Sequence, residues 1–82
     1  MSETPELIVY CRRWCGDCHR ALGWLDEHNI AYTMIDVEAD DVARDRAAGI
    51  NGGALHTPTF ELGNETCVDF RPDRLSELLG LQ

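Results

Sequence analysis

Cys15 and Cys18 stand two residues apart in the stretch Trp14-Cys15-Gly16-Asp17-Cys18-His19-Arg20, and Arg12 and Arg13 come just before it. A C-x-x-C pair can hold a metal, form half of a structural disulfide framework, or cycle between dithiol and disulfide. A structural zinc usually brings two ligand pairs. Here there is one pair, and Cys11, Cys67, His19 and His56 are the separate candidates for the remaining positions. The pattern therefore favours a working dithiol with no metal, with zinc and a shared iron–sulfur cluster as minor alternatives.

Composition fits that choice. The chain has 82 residues, 44% of them hydrophobic, with a net charge of −8. That length supports one compact core, so residues 1–82 are read as a single domain. The apolar share argues for a folded globule. An acidic chain disfavours nucleic acid as a partner. No apolar run reaches the roughly 18 residues of a membrane span. The start, MSETPE, lacks a basic region followed by an apolar stretch, so no leader is expected and the cytoplasm is the expected compartment. Four cysteines in a reducing compartment point to catalysis or metal binding before a disulfide scaffold. Charge is unevenly spread: residues 11–20 hold three arginines against Asp17 alone. These are either solvated charges at a helix start or groups that stabilise a thiolate and dock an anion.

Elements must position the pair. Residues 7–10, LIVY, read as a buried strand. From Asp17 the pattern turns helical, with Cys18, Ala21, Leu22 and Leu25 on one face and Asn29 as a stop. Residues 31–38 read as a second strand. Asp40 or Asp41 can cap a short helix that runs through Ala48, with Gly49 suited to its left-handed end. NGGALHTP is a loop. TFEL and ETCV form two short strands around a Gly63-Asn64 turn. Pro72 opens a last helix, Leu75, Leu78 and Leu79 share its inner face, and Gly80 ends it. The order is β-α-β-α-β-β-α. The first two strands should be parallel with a right-handed crossover, the last two an antiparallel hairpin. The C-x-x-C falls at the carboxyl end of the first strand, where ligands collect in open α/β sheets.

That position explains the two cysteines. Cys15 sits just before the helix, where unpaired N–H groups and the helix dipole favour an anion. The thiolate is the attacking species. Cys18 lies one turn along, in reach of Cys15 and less open to outside reagents. Cys15 is thus the expected nucleophile and Cys18 the resolving thiol.

VYCRRWCGDC, then a helix, then HTPTFEL, then FRPDRL together resemble glutaredoxin-like proteins of the thioredoxin superfamily, over nearly the whole chain. The resemblance implies the thioredoxin/glutaredoxin fold, an α/β architecture with a four-stranded mixed sheet flanked by helices. It implies a thiol–disulfide oxidoreductase, and a cis peptide bond at Thr57-Pro58 facing the C-x-x-C. Matched to classical glutaredoxins, Arg12 and Thr57 would contact glutathione. Phe70-Arg71-Pro72-Asp73 resembles the tail segment of NrdH-type redoxins, which draw electrons from thioredoxin reductase and serve a ribonucleotide reductase; Asp69 stands where their pattern has glycine. The WCG.C and NGG…TP segments also resemble mycothiol-dependent redoxins. Glutathione, mycothiol or thioredoxin reductase is therefore the implied external reductant, with no bound cofactor, a disulfide-containing protein as substrate, and a monomer. Arg12, Arg13, Trp14, Thr57, Pro58 and Asp69 are the expected substrate-binding residues. Thioredoxins carry a buried aspartate where this chain has Val9, so help for Cys18 should come from solvent or substrate.

Cys11 and Cys67 are expected as small core thiols. A regulatory disulfide between them would require close Cα atoms. Trp24 and Tyr32 read as packing residues, Trp14 as docking surface, and His19 as an exposed helix residue. His56 is either a loop residue or a substrate contact. The alternative to an oxidoreductase is a redox-inert or iron–sulfur-carrying binding domain on the same fold.

Overall fold

The computed structural model describes residues 6–81; residues 1–5, part of the stretch read for a leader, lie outside them. The element order is β1 (Leu7–Cys11), α1 (Gly16–Glu27), β2 (Thr33–Asp36), α2 (Asp41–Ile50), β3 (Thr59–Leu62), β4 (Glu65–Val68) and α3 (Pro72–Leu79). The strands form one sheet in the order β2-β1-β3-β4. β1 runs parallel to β2 and antiparallel to β3, and β3 and β4 form the hairpin. This is the mixed four-stranded sheet that the resemblance implied, with the parallel pair and the hairpin that the element order predicted.

Alternation along β1 divides the core in two. Leu7, Val9 and Cys11 join Cys18, Ala21 and Leu25 of α1, Phe60 of β3 and Leu75 of α3. Tyr10 joins Ala43 and Ala47 of α2, together with Val37. The sheet is thus sandwiched between α1 and α3 on one face and α2 on the other. A polar tie crosses the α2 face. The Tyr10 hydroxyl donates to Glu61 Oε1 at 2.7 Å, and Arg46 Nε donates to the same oxygen at 3.0 Å. A second Arg46 nitrogen pairs with Glu61 Oε2.

Helix ends follow local chemistry. Asp40 is the N-cap of α2, accepting from the Ala43 N–H at 3.0 Å. α1 stops where Asn29 turns left-handed at φ 56° and the Ile30 N–H reaches back to the Leu25 carbonyl at 3.0 Å. Gly80, at φ 71°, ends α3 in the same way.

Several boundaries differ from the sequence reading, and β1 runs one residue past 7–10 to Cys11. β2 is shorter than 31–38, because the Glu38 N–H is accepted by Asp36 Oδ1 at 2.9 Å and the chain turns there. α2 continues through Gly49 to Ile50, and the reversal falls on Gly52 and Gly53, at φ 68° and 105°. α1 begins one residue early, at Gly16.

A Cys11–Cys67 disulfide does not fit this topology. Cys11 ends β1 and Cys67 lies on β4, with β3 between them. Strands two apart are separated by about 9–10 Å, beyond the roughly 7 Å Cα limit of a disulfide. Their register is also offset, since Cys67 pairs with Phe60 and Phe60 with Val9.

Candidate active site

β1 delivers the chain to its carboxyl end at Cys11, and α1 begins five residues later at Gly16. Cys15 is the N-cap of α1, with extended backbone at φ −88° and ψ 113°. Its sulfur accepts from the Cys18 N–H at 3.3 Å. It therefore occupies the place that an aspartate or serine side chain fills at many helix starts, facing otherwise unpaired donors. Cys15 is half-buried, whereas Cys18, one turn on, is 1% exposed. All four cysteines are free thiols.

The Thr57-Pro58 peptide bond is cis, as the resemblance implied. The loop that carries it faces Cys15: the thiol donates to the Thr57 carbonyl at 3.5 Å. Asp69 packs against the same loop. It adopts a left-handed backbone at φ 67°, its N–H donates to the Pro58 carbonyl at 2.9 Å, and its carboxylate lies 3.4 Å from His56 Nδ1. Cys15, Thr57, Pro58 and Asp69 are thus brought to one place, and His56 joins them. A cavity of about 420 Å³ adjoins this loop, lined by His56, Cys67, Asp69, Arg71 and Arg74 among others.

Trp14, next to Cys15 in the chain, is 70% exposed. The Arg12 guanidinium lies 5.2 Å from its ring centroid, within cation–π range. The indole N–H donates to Glu38 at 3.2 Å. Arg13 turns towards Asp36 at 3.9 Å. Arg20 pairs with Asp17 one turn along α1. The basic island is therefore not a uniform field over Cys15. Arg12 stacks on Trp14, and Arg13 and Arg20 have carboxylate partners. His19 is exposed as expected, and its Nε2 lies 2.8 Å from the Arg13 carbonyl.

Sequence reasoning missed the surroundings of Cys18. Cys11 is 2% exposed and shares its core. Both cysteines line a cavity of about 270 Å³, with Leu22, Met34, Arg13 and Asp36 also on its walls. Cys18 is lowered to about 5. The neighbouring Cys11 thiol is the main cause, burial opposes it, and donors from Cys15, the Arg12 backbone and Thr57 add to it. The same contact, then burial, then the charges of Cys18, Cys15 and Asp36 push Cys11 far up. The signal was available in part: β1 and β2 pair in parallel, which sets Cys11 opposite Asp36. Burial also pushes Cys67 up, against the opposing charges of Arg74 and Arg71. Among the described residues, no group of three or more His, Cys, Asp or Glu side chains is placed to hold a metal ion.

The glutaredoxin family model matches residues 7–65, most of the chain. This chain belongs to the glutaredoxin family. The match begins at β1 and ends at the start of β4, so it spans both the C-x-x-C and the cis-proline loop. The N-acetyl-S-hydroxy-L-cysteine reductase of Bacillus subtilis (strain 168) is 27% identical over 63 residues, covering 77% of this chain and 67% of the relative. Among solved structures, the thioredoxin-like protein BC3987 has a TM-score of 0.78 at 29% identity, covering 89% of this chain and 99% of its own. The glutaredoxin-like NrdH-redoxin of Escherichia coli has a TM-score of 0.75 at 25% identity, covering 89% and 93%. A glutaredoxin of Archaeoglobus fulgidus, 20% identical, shares the fold at a TM-score of 0.81, covering 92% and 86%. The family, the Bacillus reductase and the NrdH-redoxin support a redoxin with thiol–disulfide oxidoreductase activity. No helix among the described residues is long and apolar enough to cross a membrane.

Proposed function

We propose that this glutaredoxin-family protein is a cytoplasmic, monomeric dithiol redoxin that reduces disulfides through Cys15 and Cys18. The observation that supports it most is their asymmetry: a half-buried sulfur at a helix N-cap, and a fully buried sulfur one turn away whose backbone N–H donates to the first. Cys15 loses its proton to water and attacks a substrate disulfide as the thiolate. A bond forms between Cys15 and one substrate sulfur, and the other leaves as a thiolate. Cys18 then gives up its proton to that departing thiolate and attacks Cys15. The Cys15–Cys18 disulfide forms, and the second substrate thiolate leaves and takes a proton from water. An external reductant returns two electrons and two protons.

Substrate docks across Cys15 between two walls. The exposed Trp14, held by Arg12 and Glu38, forms one. Thr57, Pro58 and Asp69 form the other, where backbone groups of the cis-proline loop can pair with an extended segment. Arg13 lies further off, at the edge near Asp36. The Bacillus relative's name adds a small S-oxidised cysteine derivative as a second substrate class to test beside disulfides. The redox-inert and iron–sulfur readings are tested by visible absorbance after anaerobic purification.

The deciding experiment is mutational. Cys15→Ser should abolish turnover of a disulfide substrate, and Cys18→Ser should accumulate mixed disulfides that mass spectrometry places on Cys15. Full turnover in Cys15→Ser, or adducts on Cys11 or Cys67 in the Cys18→Ser protein, would remove the assignment.

A further inference from the structure

We infer that Asp69 is a positioning residue for the substrate-facing loop: it ties down the residues on both sides of Thr57, and so holds Thr57 in the orientation in which an extended substrate segment pairs with it. The inference rests on the proposed reading in which Cys15 attacks a disulfide laid along this loop. It arises from how hydrogen bonds are shared out between residues 56 and 59. The Pro58 carbonyl accepts from the Asp69 N–H at 2.9 Å. The His56 carbonyl accepts from the buried Thr59 hydroxyl at 2.7 Å. The His56 ring, through Nδ1, lies 3.4 Å from Asp69 Oδ1. Thr57 is left apart from these ties. Its carbonyl meets the Cys15 thiol at 3.5 Å, and among the described residues its N–H has no acceptor. A backbone donor of that kind is open to a bound main chain.

Backbone geometry alone would not select aspartate here. The φ of 67° lies in the left-handed region, which glycine adopts most easily. A glycine would make the same turn after β4 and present the same N–H. What aspartate adds is the carboxylate, and its placement is specific. Arg71 and Arg74 line the same cavity as Asp69, yet among the described residues its ion-pair partner is His56. The Cys67 thiol donates to the Asp69 carbonyl at 3.9 Å and steadies the same turn. One residue thus holds the loop twice, at the residue before Thr57 and at the residue after it. A disfavoured backbone kept together with a side-chain contact marks a functional constraint.

The consequence is for binding before chemistry. A loop fixed at both neighbours presents Thr57 already ordered, so less ordering is left to the binding step. Without the carboxylate the His56 side of the loop is released, while the Pro58 side keeps its backbone tie. The loop then spends a smaller fraction of its time in the binding geometry, and apparent affinity falls by that fraction. The Cys15 sulfur takes its environment from the N-terminus of α1, a separate element.

The test compares two mixed disulfides of 2-nitro-5-thiobenzoate by stopped flow. In one the partner is an extended peptide, linked through a central cysteine. In the other it is 2-mercaptoethanol, which has no main chain to pair with Thr57. The Cys15 thiolate attacks the partner's sulfur, the new S–S bond forms, and thiobenzoate leaves as the coloured thiolate. Cys15→Ser gives the background. Asp69→Gly keeps the turn and removes the carboxylate, and Asp69→Asn keeps a side-chain oxygen for His56. In Asp69→Gly the half-saturating peptide concentration should rise about tenfold with the limiting rate near the parent's, and the preference for peptide over the mercaptoethanol compound should fall about as far. His56→Ala should do the same, the double variant should do no more than either, and Asp69→Asn should stay near the parent. An unmoved peptide preference in Asp69→Gly would overturn the inference, as would a parent with no preference for the peptide. So would an equal loss of limiting rate with both compounds, which would place the effect at Cys15, or full additivity of Asp69→Gly and His56→Ala, which would mean that the two residues act apart. If the parent releases no more thiobenzoate than Cys15→Ser, the proposed role of Cys15 fails and the inference goes with it; a normal parent with unmoved variants sinks the inference alone.

Discussion

Glu61 brings a carboxylate into a layer of otherwise apolar packing, and three groups share the arrangement. Arg46 holds its carboxyl below the usual range; burial opposes that, and the Tyr10 hydroxyl adds to it. A carboxylate depressed in the folded state contributes stability that is complete above its unfolded value, about 4.3, and is lost as pH falls through its folded value. Glu61→Gln should therefore weaken the fold near neutrality and flatten its acid sensitivity. Urea midpoints of parent and variant at about pH 7 and about pH 3 read both effects. Equal losses in the two proteins on acidification would show that the tie is not a titrating one. Tyr10 lies on the same network, with its phenol pushed up by burial first and then by Glu61. Its contribution has the opposite sign, present below the unfolded phenol value and lost as pH rises through the folded one.

The elements position the site through their ends. α1 offers its N-terminus to Cys15, and the hairpin brings Thr57, Pro58 and Asp69 across from it. α2 does not touch this chemistry, so its cap separates stability from activity. Asp40→Ala removes the hydrogen bond to Ala43 and should cost about 1 kcal/mol of stability. Disulfide turnover per folded molecule should be unchanged. Chemical denaturation and an activity assay on the same preparation check both. A variant with normal stability would show that the Asp40 cap is not used in solution.

Element types were legible because the signals were local. Asp40, Asn29, Pro72 and Gly80 mark ends by their own backbone chemistry, and the TFEL and ETCV strands carry their pattern within four residues each. β2 and the end of α2 were less legible because competing local signals lay within a few residues of each other. The Asp36 side chain turns the chain after β2, and Gly49, a plausible stop by type, continues as helix until Gly52 and Gly53. At the site, Cys15 and Cys18 could be read from spacing, and the cis bond from the family resemblance. Cys11 read as a bland core thiol. Its meeting with Cys18 needs α1 to fold back over β1, and its pairing with Asp36 needs the parallel register, neither of which spacing alone reports.

At the scale of the whole molecule, an acidic chain of net charge −8 places five of its seven arginines beside the redox pair or near the cis-proline loop, with Arg44 and Arg46 on α2. Charge of that distribution admits a small anionic thiol and equally a protein partner with an acidic edge. Three NADPH-linked assays separate the electron sources: thioredoxin reductase, glutathione with its reductase, and mycothiol with its reductase. Turnover with thioredoxin reductase alone would make a ribonucleotide reductase the first partner to test. Turnover with a small thiol alone would make Arg12 and Thr57 walls of its groove, and Arg12→Ala should then raise KM for that thiol more than it lowers kcat.

All of this rests on a dithiol that opens and closes at one place in the fold. The direct measurement is a thiol count with peptide mapping, before and after mild oxidation and again after reduction. The expected result is the reversible loss of two thiols and a single Cys15–Cys18 bond, with Cys11 and Cys67 still free. Retention of all four thiols, or a disulfide that engages Cys11 or Cys67 in place of the pair, would contradict the account.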